Sequence, residues 1–100
     1  MKVYKVIGFS KGSETNILPD KEYKTHAGAY RYMLCQSRSM YNYFAERETF
    51  LGTTTKLEKD EISDDVRRVH VFKNGILTHW VTYRIIVEEK KGLNLPVLNQ

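Results

Sequence analysis

The chain has 100 residues, the common size of one domain with a single hydrophobic core. Its 41% hydrophobic and 28% charged residues are ordinary for a globular domain, and seven Tyr, four Phe and one Trp make it somewhat rich in aromatic side chains. The net charge of +4 marks a basic protein. No run of Lys or Arg exceeds two residues, so charge is only a weak indication of a nucleic-acid partner.

Cysteine usage and the N-terminus narrow the classes of protein further. Cys35 is the only cysteine, which excludes an intrachain disulfide and a CxxC metal or redox motif. Lys2 and Lys5 lie in an alternating run that lacks the apolar core of a signal peptide. No apolar stretch approaches the ~20 residues that span a bilayer. We therefore expect a soluble, cytoplasmic protein without a membrane partner.

In the first quarter of the chain, the residue pattern predicts one strand followed by irregular structure. Alternating residues from Val3 to Phe9 are typical of a strand with at least one buried face. The polar, Gly-bearing segment Ser10 to Thr15 indicates a loop. Asn16 to Lys24 is irregular around a Leu-Pro-Asp sequence, and a short extended piece is expected at Glu22 to Lys24.

A long helix is predicted from His26 to about Glu48, with Thr25 as its N-cap and Gly52 as the stop beyond it. No proline interrupts this run. One side of the helix collects an apolar stripe, which we expect to pack on a sheet. The stripe consists of Tyr30, Met33, Leu34, Ser37, Met40, Tyr41 and Phe44.

The rest of the chain predicts three strands. The Thr-rich, charged segment Thr53 to Lys59 suits an edge strand that resists pairing with other chains, and the acidic segment Asp60 to Asp65 is a connecting loop. Asn74-Gly75 separates two alternating runs and is the strongest short-range signal for a hairpin with a type I′ turn. The second hairpin strand is expected to extend to about Glu88.

This order, β-α-β-β-β, predicts an α+β fold. One long helix packs on one face of a roughly four-stranded mixed or antiparallel sheet, which ends in the Asn74-Gly75 hairpin. We expect residues 1–90 to form a single α+β domain and residues 91–100 to form a C-terminal tail that is either docked or disordered. Since one helix covers only one face of a sheet, the other face lacks a helical cover.

The position of the turn decides which hairpin residues share a face. Counting outward from Asn74-Gly75 places His70 opposite His79 and Val69 opposite Trp80. The more apolar face, assigned to the core beneath the helix, then holds Val66, Phe72, Leu77, Val81, Tyr83, Ile85 and Val87 with both histidines and Arg68. The outer face holds Val69, Val71, Ile76, Trp80 and Ile86 among Arg67, Lys73, Thr78, Thr82 and Arg84.

The outer face is the candidate functional site. A Trp flanked by Val and Ile and rimmed by Arg and Thr has the composition of an interface centre. The predicted partner-binding residues are Val69, Val71, Trp80, Arg67, Arg84 and Lys73. Two alternatives stay open at this point: scattered surface hydrophobic residues without a role, or a C-terminal tail that folds back over Trp80.

A second surface is predicted on the side of the helix away from its stripe. Tyr32, Tyr43 and Phe50 gather there, either tucked under loops or exposed for docking. Two apolar surfaces on one small domain favour a non-catalytic binding module whose partner is another protein or a second copy of itself. A homodimer is the simplest version, because two-fold symmetry lets one patch meet itself.

Nucleic acid is the alternative partner of the outer face. Trp80 would then stack on a base of a single strand, while Arg67, Lys73 and Arg84 contact phosphates. The predicted strand order lacks the second helix of an RNA-recognition βαββαβ domain, so the fold adds no support to this alternative.

An enzyme is the third hypothesis, and the residues argue against it. The facing pair His70 and His79 supplies two zinc ligands, whereas a structural site needs four and a catalytic site about three. Cys35 has no histidine beside it by helical spacing. No phosphate-binding loop and no catalytic motif is present in the sequence. We therefore expect no enzymatic activity, no cofactor and no metal.

Overall fold

The computed structural model describes residues 1–90, which form a five-stranded antiparallel sheet with a long helix across one face. The predicted α+β class is confirmed. The sheet has a fifth strand because the short extended piece before the helix pairs with the first strand. The predicted tail, residues 91–100, lies outside the described residues. In chain order the elements are β1 (Lys2–Ser10), β2 (Glu22–Tyr23), α1 (His26–Ala45), α2 (Glu48–Leu51), β3 (Thr54–Lys59), β4 (Val66–Lys73) and β5 (Ile76–Glu89), and the strands lie side by side in the order β2-β1-β5-β4-β3.

Helix α1 begins where the sequence predicts. Thr25 has extended backbone geometry, and its hydroxyl accepts a hydrogen bond of 3.1 Å from the Gly28 N–H, as expected of an N-cap. The predicted apolar stripe faces the sheet except at Leu34, which is 36% exposed at its border. Ala29, which the stripe omitted, is fully buried because its small side chain lets the helix approach the strands closely.

Helix α1 ends earlier than predicted. It stops at Ala45 because the N–H of Arg47 bonds to the carbonyl of Phe44, three residues back, which tightens the last turn. The predicted end near Glu48 is instead the start of the short helix α2. Gly52 terminates α2 in the left-handed conformation, with φ of 69°, and so acts as the predicted stop.

Strand β5 organises the sheet. It is 14 residues long and pairs with β1 on one side, over nine residue pairs, and with β4 on the other. The turn between β4 and β5 has the predicted geometry, since Asn74 and Gly75 both have positive φ, 54° and 78°. The long central strand therefore holds the N-terminal strand and the hairpin in one sheet.

A β-bulge interrupts the hairpin close to its turn. Phe72 pairs with Leu77, yet the next residue, Val71, pairs with His79, so that Thr78 is an extra residue on β5. The Thr78 hydroxyl donates a hydrogen bond of 3.2 Å to the Val71 carbonyl. Beyond the bulge, each β4 residue lies opposite a β5 residue one position later than in a regular hairpin. His70 consequently pairs with Trp80 and not with His79.

The core lies between α1 and the sheet. Tyr83, 1% exposed, is its largest fully buried side chain and lies directly opposite Gly8 on β1. A Cβ atom at position 8 would come within 3.1 Å of the Tyr83 ring, so glycine leaves the space that this ring occupies. The buried core cluster consists of Val6, Ala29, Met33, Val69, Val81, Tyr83 and Ile85. No helix within residues 1–90 is long and apolar enough to cross a membrane.

Candidate functional site

The two faces of the sheet differ in what covers them. Helix α1 packs on the helix face, whereas no element of residues 1–90 packs across the other, which we call the open face. Strand alternation and the observed register assign each residue to a face. The apolar residues of the open face are Val3, Ile7, Phe9, Val66, Phe72, Leu77, Trp80 and Ile86. Val3 and Val66 are buried, 4% and 5% exposed, Leu77 is exposed, and the others are half-buried. The polar residues of this face include Lys5, Lys56, Glu58, Arg68, His70, Thr82 and Arg84.

The predicted assignment of side chains to the two faces is correct for β5 beyond the bulge and wrong for β4. Trp80 and Arg84 lie on the open face as predicted. Val69 and Val71 lie on the helix face instead, 0% and 3% exposed, so their side chains are not available to a partner there. The extra residue Thr78 is the cause, because a shift of one residue in pairing moves a strand's side chains to the opposite face. The β4 residues predicted for the core, Val66, Arg68, His70 and Phe72, accordingly lie on the open face with Leu77.

Arg67 and Lys73 also lie outside the predicted site. Arg67 is 9% exposed on the helix face, and its guanidinium donates a hydrogen bond of 2.8 Å to the Tyr30 hydroxyl. The same group lies 3.4 Å from the Asp64 carboxylate, so it ties α1 to the loop between β3 and β4. Lys73, exposed at the end of β4, belongs by alternation to the same side as Arg67. Of the three predicted cations, only Arg84 shares a face with Trp80.

Trp80 is half-buried among side chains of the open face. It lies opposite His70, whose ring meets that of Phe72 edge-on at a centroid distance of 6.1 Å. The bulge brings Leu77, 42% exposed, to the same face. The N–H of Lys11 bonds to the Trp80 carbonyl at 3.0 Å, which fastens the loop after β1 beside the indole. Trp80 is thus held in place by its own strand neighbours.

Strand β1 continues this apolar surface, and sequence reasoning did not assign it there. Phe9 pairs with Thr82, and Ile7 pairs with Arg84, so both side chains lie on the open face beside β5. Their alternation was visible in the sequence, but nothing local indicated which face of the sheet they occupy. Only the pairing of β1 with the distant strand β5 reveals it. Ile86, paired with Lys5, completes the apolar stripe toward the other end.

The end of the open face near Val3 is charged and internally paired. The Lys5 ammonium lies 2.9 Å from the Asp20 carboxylate, 3.2 Å from that of Glu88 and 3.9 Å from that of Glu22. The hydrogen bond to Asp20, and after it the one to Glu88, raises the pKa of Lys5. The same ion pair lowers the pKa of Asp20. This cluster marks one border of the apolar stripe.

At the opposite border Lys56 has no carboxylate of residues 1–90 within 4.0 Å and lies over the Phe72 ring, whereas the other charges there are paired. Arg68 contacts Asp60 at 2.7 Å, and the His70 ring lies 3.6 Å from Glu58. Arg84 is exposed in the middle of the open face, with no carboxylate of residues 1–90 within 4.0 Å. An apolar centre, a largely paired rim and two cations without a carboxylate partner in residues 1–90, Lys56 and Arg84, resemble the composition of protein interfaces.

The second predicted surface is not a single patch. Tyr32 is half-buried, and its ring lies 5.6 Å from that of Tyr23. Tyr43 is 50% exposed and carries the Arg47 guanidinium over its ring at 3.8 Å. Phe50 is 81% exposed but belongs to α2, a separate helix. The three rings therefore occupy different surroundings, and no ring contact joins them within the described residues.

The residues considered for chemistry are dispersed. His70 lies on the open face, whereas His79 lies on the helix face with its ring 5.4 Å from that of Phe44. Cys35 is exposed on α1. Within residues 1–90, no three His, Cys, Asp or Glu side chains are grouped to hold a metal ion. The predicted facing histidine pair is wrong, for the same reason as the β4 face: the bulge at Thr78.

Comparison of the chain with models of protein families, with curated proteins and with solved structures finds no match. The geometry and chemistry of the open face are therefore the basis on which a function can be assigned.

Proposed function

We propose that the protein is a small non-catalytic binding module that forms a homodimer through the open face of its sheet. The observation that carries this proposal is the apolar stripe from Ile86 through Phe9 to Trp80, which no element of residues 1–90 covers. Antiparallel sheets with one solvated face ordinarily carry polar residues there. A contiguous apolar surface that no element of residues 1–90 covers instead favours an interaction site.

The size of the open face suits a dimer. Four strands about 4.8 Å apart, each contributing about six residues of roughly 3.3 Å, give a footprint of about 380 Å² before side-chain relief is added, and the two-residue strand β2 adds little. A stable interface removes roughly 800 Å² of accessible surface per partner. The two values are of the same order. Two such faces packed as a sandwich by a two-fold axis bring each patch against its own copy.

Light-scattering mass after gel filtration tests the proposal. The wild-type chain of 11.8 kDa is expected to approach twice that mass as its concentration rises. Trp80→Ala is expected to shift the peak back to the monomer, because truncating an interface centre costs about 2 kcal/mol and the symmetric dimer loses two such centres. Together these losses raise the dimer dissociation constant by about a thousandfold.

Ile62→Ser is the matched control, since Ile62 is 97% exposed in the loop between β3 and β4. This variant is expected to dimerise as the wild type does. A monomeric mass at every concentration, or equal dimerisation of the Trp80→Ala variant, contradicts the proposal. The absorbance ratio at 260 and 280 nm on the same peak separates the alternatives, because bound nucleic acid raises it and a protein dimer does not.

A further inference from the structure

Strand β3 is an edge of the sheet, and its backbone shows which groups face outward. Within residues 1–90 it pairs with β4 alone, through six residue pairs. The N–H of Thr55 does not point toward β4, because it donates a 2.6 Å hydrogen bond to the Glu48 carboxylate of α2. Backbone groups of an antiparallel strand alternate in direction, so Leu57 and Lys59 also present their N–H and C=O groups away from β4.

These outward groups have no backbone partner within residues 1–90. Glu48 therefore blocks the edge at Thr55 and leaves it open from Leu57 to Lys59. Leu57 offers one donor and one acceptor on the same side, the pair that an added strand uses to join a sheet. The free length of edge is short, which suits one peptide segment better than a second whole sheet.

A groove of about 480 Å³ runs between this edge and helix α1. One wall is helical, and the other is the edge strand with the half-buried side chain of Leu57. A helix beside a free strand edge is a recurring setting for strand addition by a peptide, because the groove takes alternate side chains. The lining residues are Arg38, Tyr41, Thr55, Lys56, Leu57 and Glu58.

A buried hydroxyl in the groove lacks a partner. Thr55 is 6% exposed, and its Oγ1 atom has no hydrogen-bond partner within residues 1–90. Leaving a buried hydroxyl unpaired is costly, so native structures pair nearly all such groups. A polar group of a bound peptide reaching into the groove would supply the missing bond.

Charge selects the chemistry of the peptide. Arg38 lines the groove and has no carboxylate of residues 1–90 within 4.0 Å, whereas the Lys56 ammonium lies on the open face, 5.6 Å from the centroid of the Phe72 ring. The one acidic lining residue, Glu58, lies 3.6 Å from His70 on the other face of the sheet. The groove therefore offers unpaired positive charge to an incoming segment.

From these observations we propose that the groove between α1 and β3 binds an extended acidic peptide, which adds to the edge at Leu57 and Lys59 as a sixth strand. The groove and the open face are separate sites. The competing outcomes are a second copy of the chain at this edge, a nucleic acid, or no occupant.

Backbone amide NMR of the full chain, labelled with ¹⁵N, provides the test. The probe is a blocked heptapeptide of alternating acidic residues and Val, compared with the same peptide carrying Lys in place of the acids. The acidic peptide is expected to shift the amide signals of Leu57 and Lys59 in a saturable manner at millimolar concentration, and the Lys peptide is expected not to. Absence of these shifts, or equal shifts with both peptides, overturns the proposal. Shifts at Leu57 that depend on protein concentration alone assign the edge to a second copy, which also overturns it.

Four variants separate the roles of the backbone edge, the charge and the buried hydroxyl. Leu57→Pro removes the leucine side chain and the outward N–H, whereas Leu57→Ala removes the side chain and keeps that N–H. The proline variant is expected to bind about tenfold more weakly than the alanine variant. Arg38→Glu is expected to reverse the preference toward the Lys peptide. Thr55→Val is expected to weaken binding without lowering the midpoint of urea unfolding, since a merely structural hydroxyl would already have a partner.

The Trp80→Ala variant keeps this test distinct from that of the homodimer. It alters the open face and leaves the groove intact, so it is expected to give the wild-type peptide response. Unchanged peptide binding in this variant, together with a monomeric mass, supports both proposals separately. Loss of peptide binding in a folded Trp80→Ala variant contradicts an independent groove.

Discussion

Asp60 stabilises the loop between β3 and β4 with a single carboxylate. One oxygen accepts hydrogen bonds from the N–H groups of Ser63 and Ile62, at 3.0 and 3.1 Å, and the other contacts Arg68 at 2.7 Å. The Ser63 bond, then Arg68, then the Ile62 bond lower the pKa of Asp60 from 3.8 to about 2. The sequence predicted a connecting loop from Asp60 to Asp65, and it gave no sign that one of these acids organises the loop backbone.

Acid is therefore expected to destabilise the protein in a defined range. A carboxylate whose pKa is lower in the folded chain contributes stability that is fully present above its ordinary pKa. That contribution is lost as the pH falls from about 4 to about 2. The difference in urea midpoint between the wild type and Asp60→Asn is expected to be constant near neutral pH and to shrink across this range. Glu61→Gln, an exposed acid in the same loop, serves as control, and an equal pH trend in that variant argues against the assignment.

At the level of elements, the bulge at Thr78 decides the composition of the open face. It lets Leu77 and Trp80, three positions apart, lie on one face, which a regular strand does not allow. The Thr78 hydroxyl bonds to the Val71 carbonyl, and the Lys11 ammonium donates to the Thr78 carbonyl at 2.9 Å. The bulge is thus held from two sides, by β4 and by the loop that follows β1.

Deleting Thr78 is expected to be tolerated. All other pairs of the hairpin keep their partners when the extra residue is removed, and the loss of two hydrogen bonds costs about 1–3 kcal/mol. Deleting Thr82 from the regular part of the same strand is expected to prevent folding, because it reverses the faces of every residue beyond it. Circular dichroism and urea unfolding compare the two. Equal tolerance of both deletions contradicts the observed register.

The bulge also marks the limit of what the sequence could predict. The turn at Asn74-Gly75, the helix start at Thr25 and the edge position of β3 follow from local residue chemistry, and all three are confirmed. Thr78 carries no such signal, since threonine is common in regular strands. A correct turn therefore gave correct pairs at Phe72 and Lys73, whereas the predicted faces are wrong for all of β4, these two residues included.

The β1 residues of the open face could not be predicted from the sequence, because they belong to it through long-range strand pairing. Ile7 and Phe9 join the open face only because β1 lies beside β5, and no local pattern encodes that neighbour. The Trp80 face was predicted from the two hairpin strands, β4 and β5, alone. In the structure, residues of β1 also belong to this face. The helix face instead holds Val69, Val71, Arg67 and Lys73.

How the association of the whole molecule responds to salt depends on whether apolar burial or contact with phosphates drives it. A dimer built on the apolar stripe is expected to persist, or to strengthen, when sodium sulfate is raised to about 1 M, because excluded salts favour apolar burial. Binding of a nucleic acid to the basic chain would weaken steeply over the same range, since phosphate contacts release counterions. Light-scattering mass measured along a sulfate series distinguishes the two, and a mass that falls with salt contradicts apolar association.

The pairing of β1 with β5 has a kinetic consequence. The ammonium group of Met1 lies 3.0 Å from the carbonyl of Lys90, so the strands joined along this seam are separated by most of the chain. Closing such a large loop has a high entropic barrier, whereas the β4–β5 hairpin needs only its own turn. Assembly is then expected to start at the hairpin and to finish when β1 docks. Until that last step the flank of β5 is an unpaired edge, which makes late folding the stage most vulnerable to aggregation.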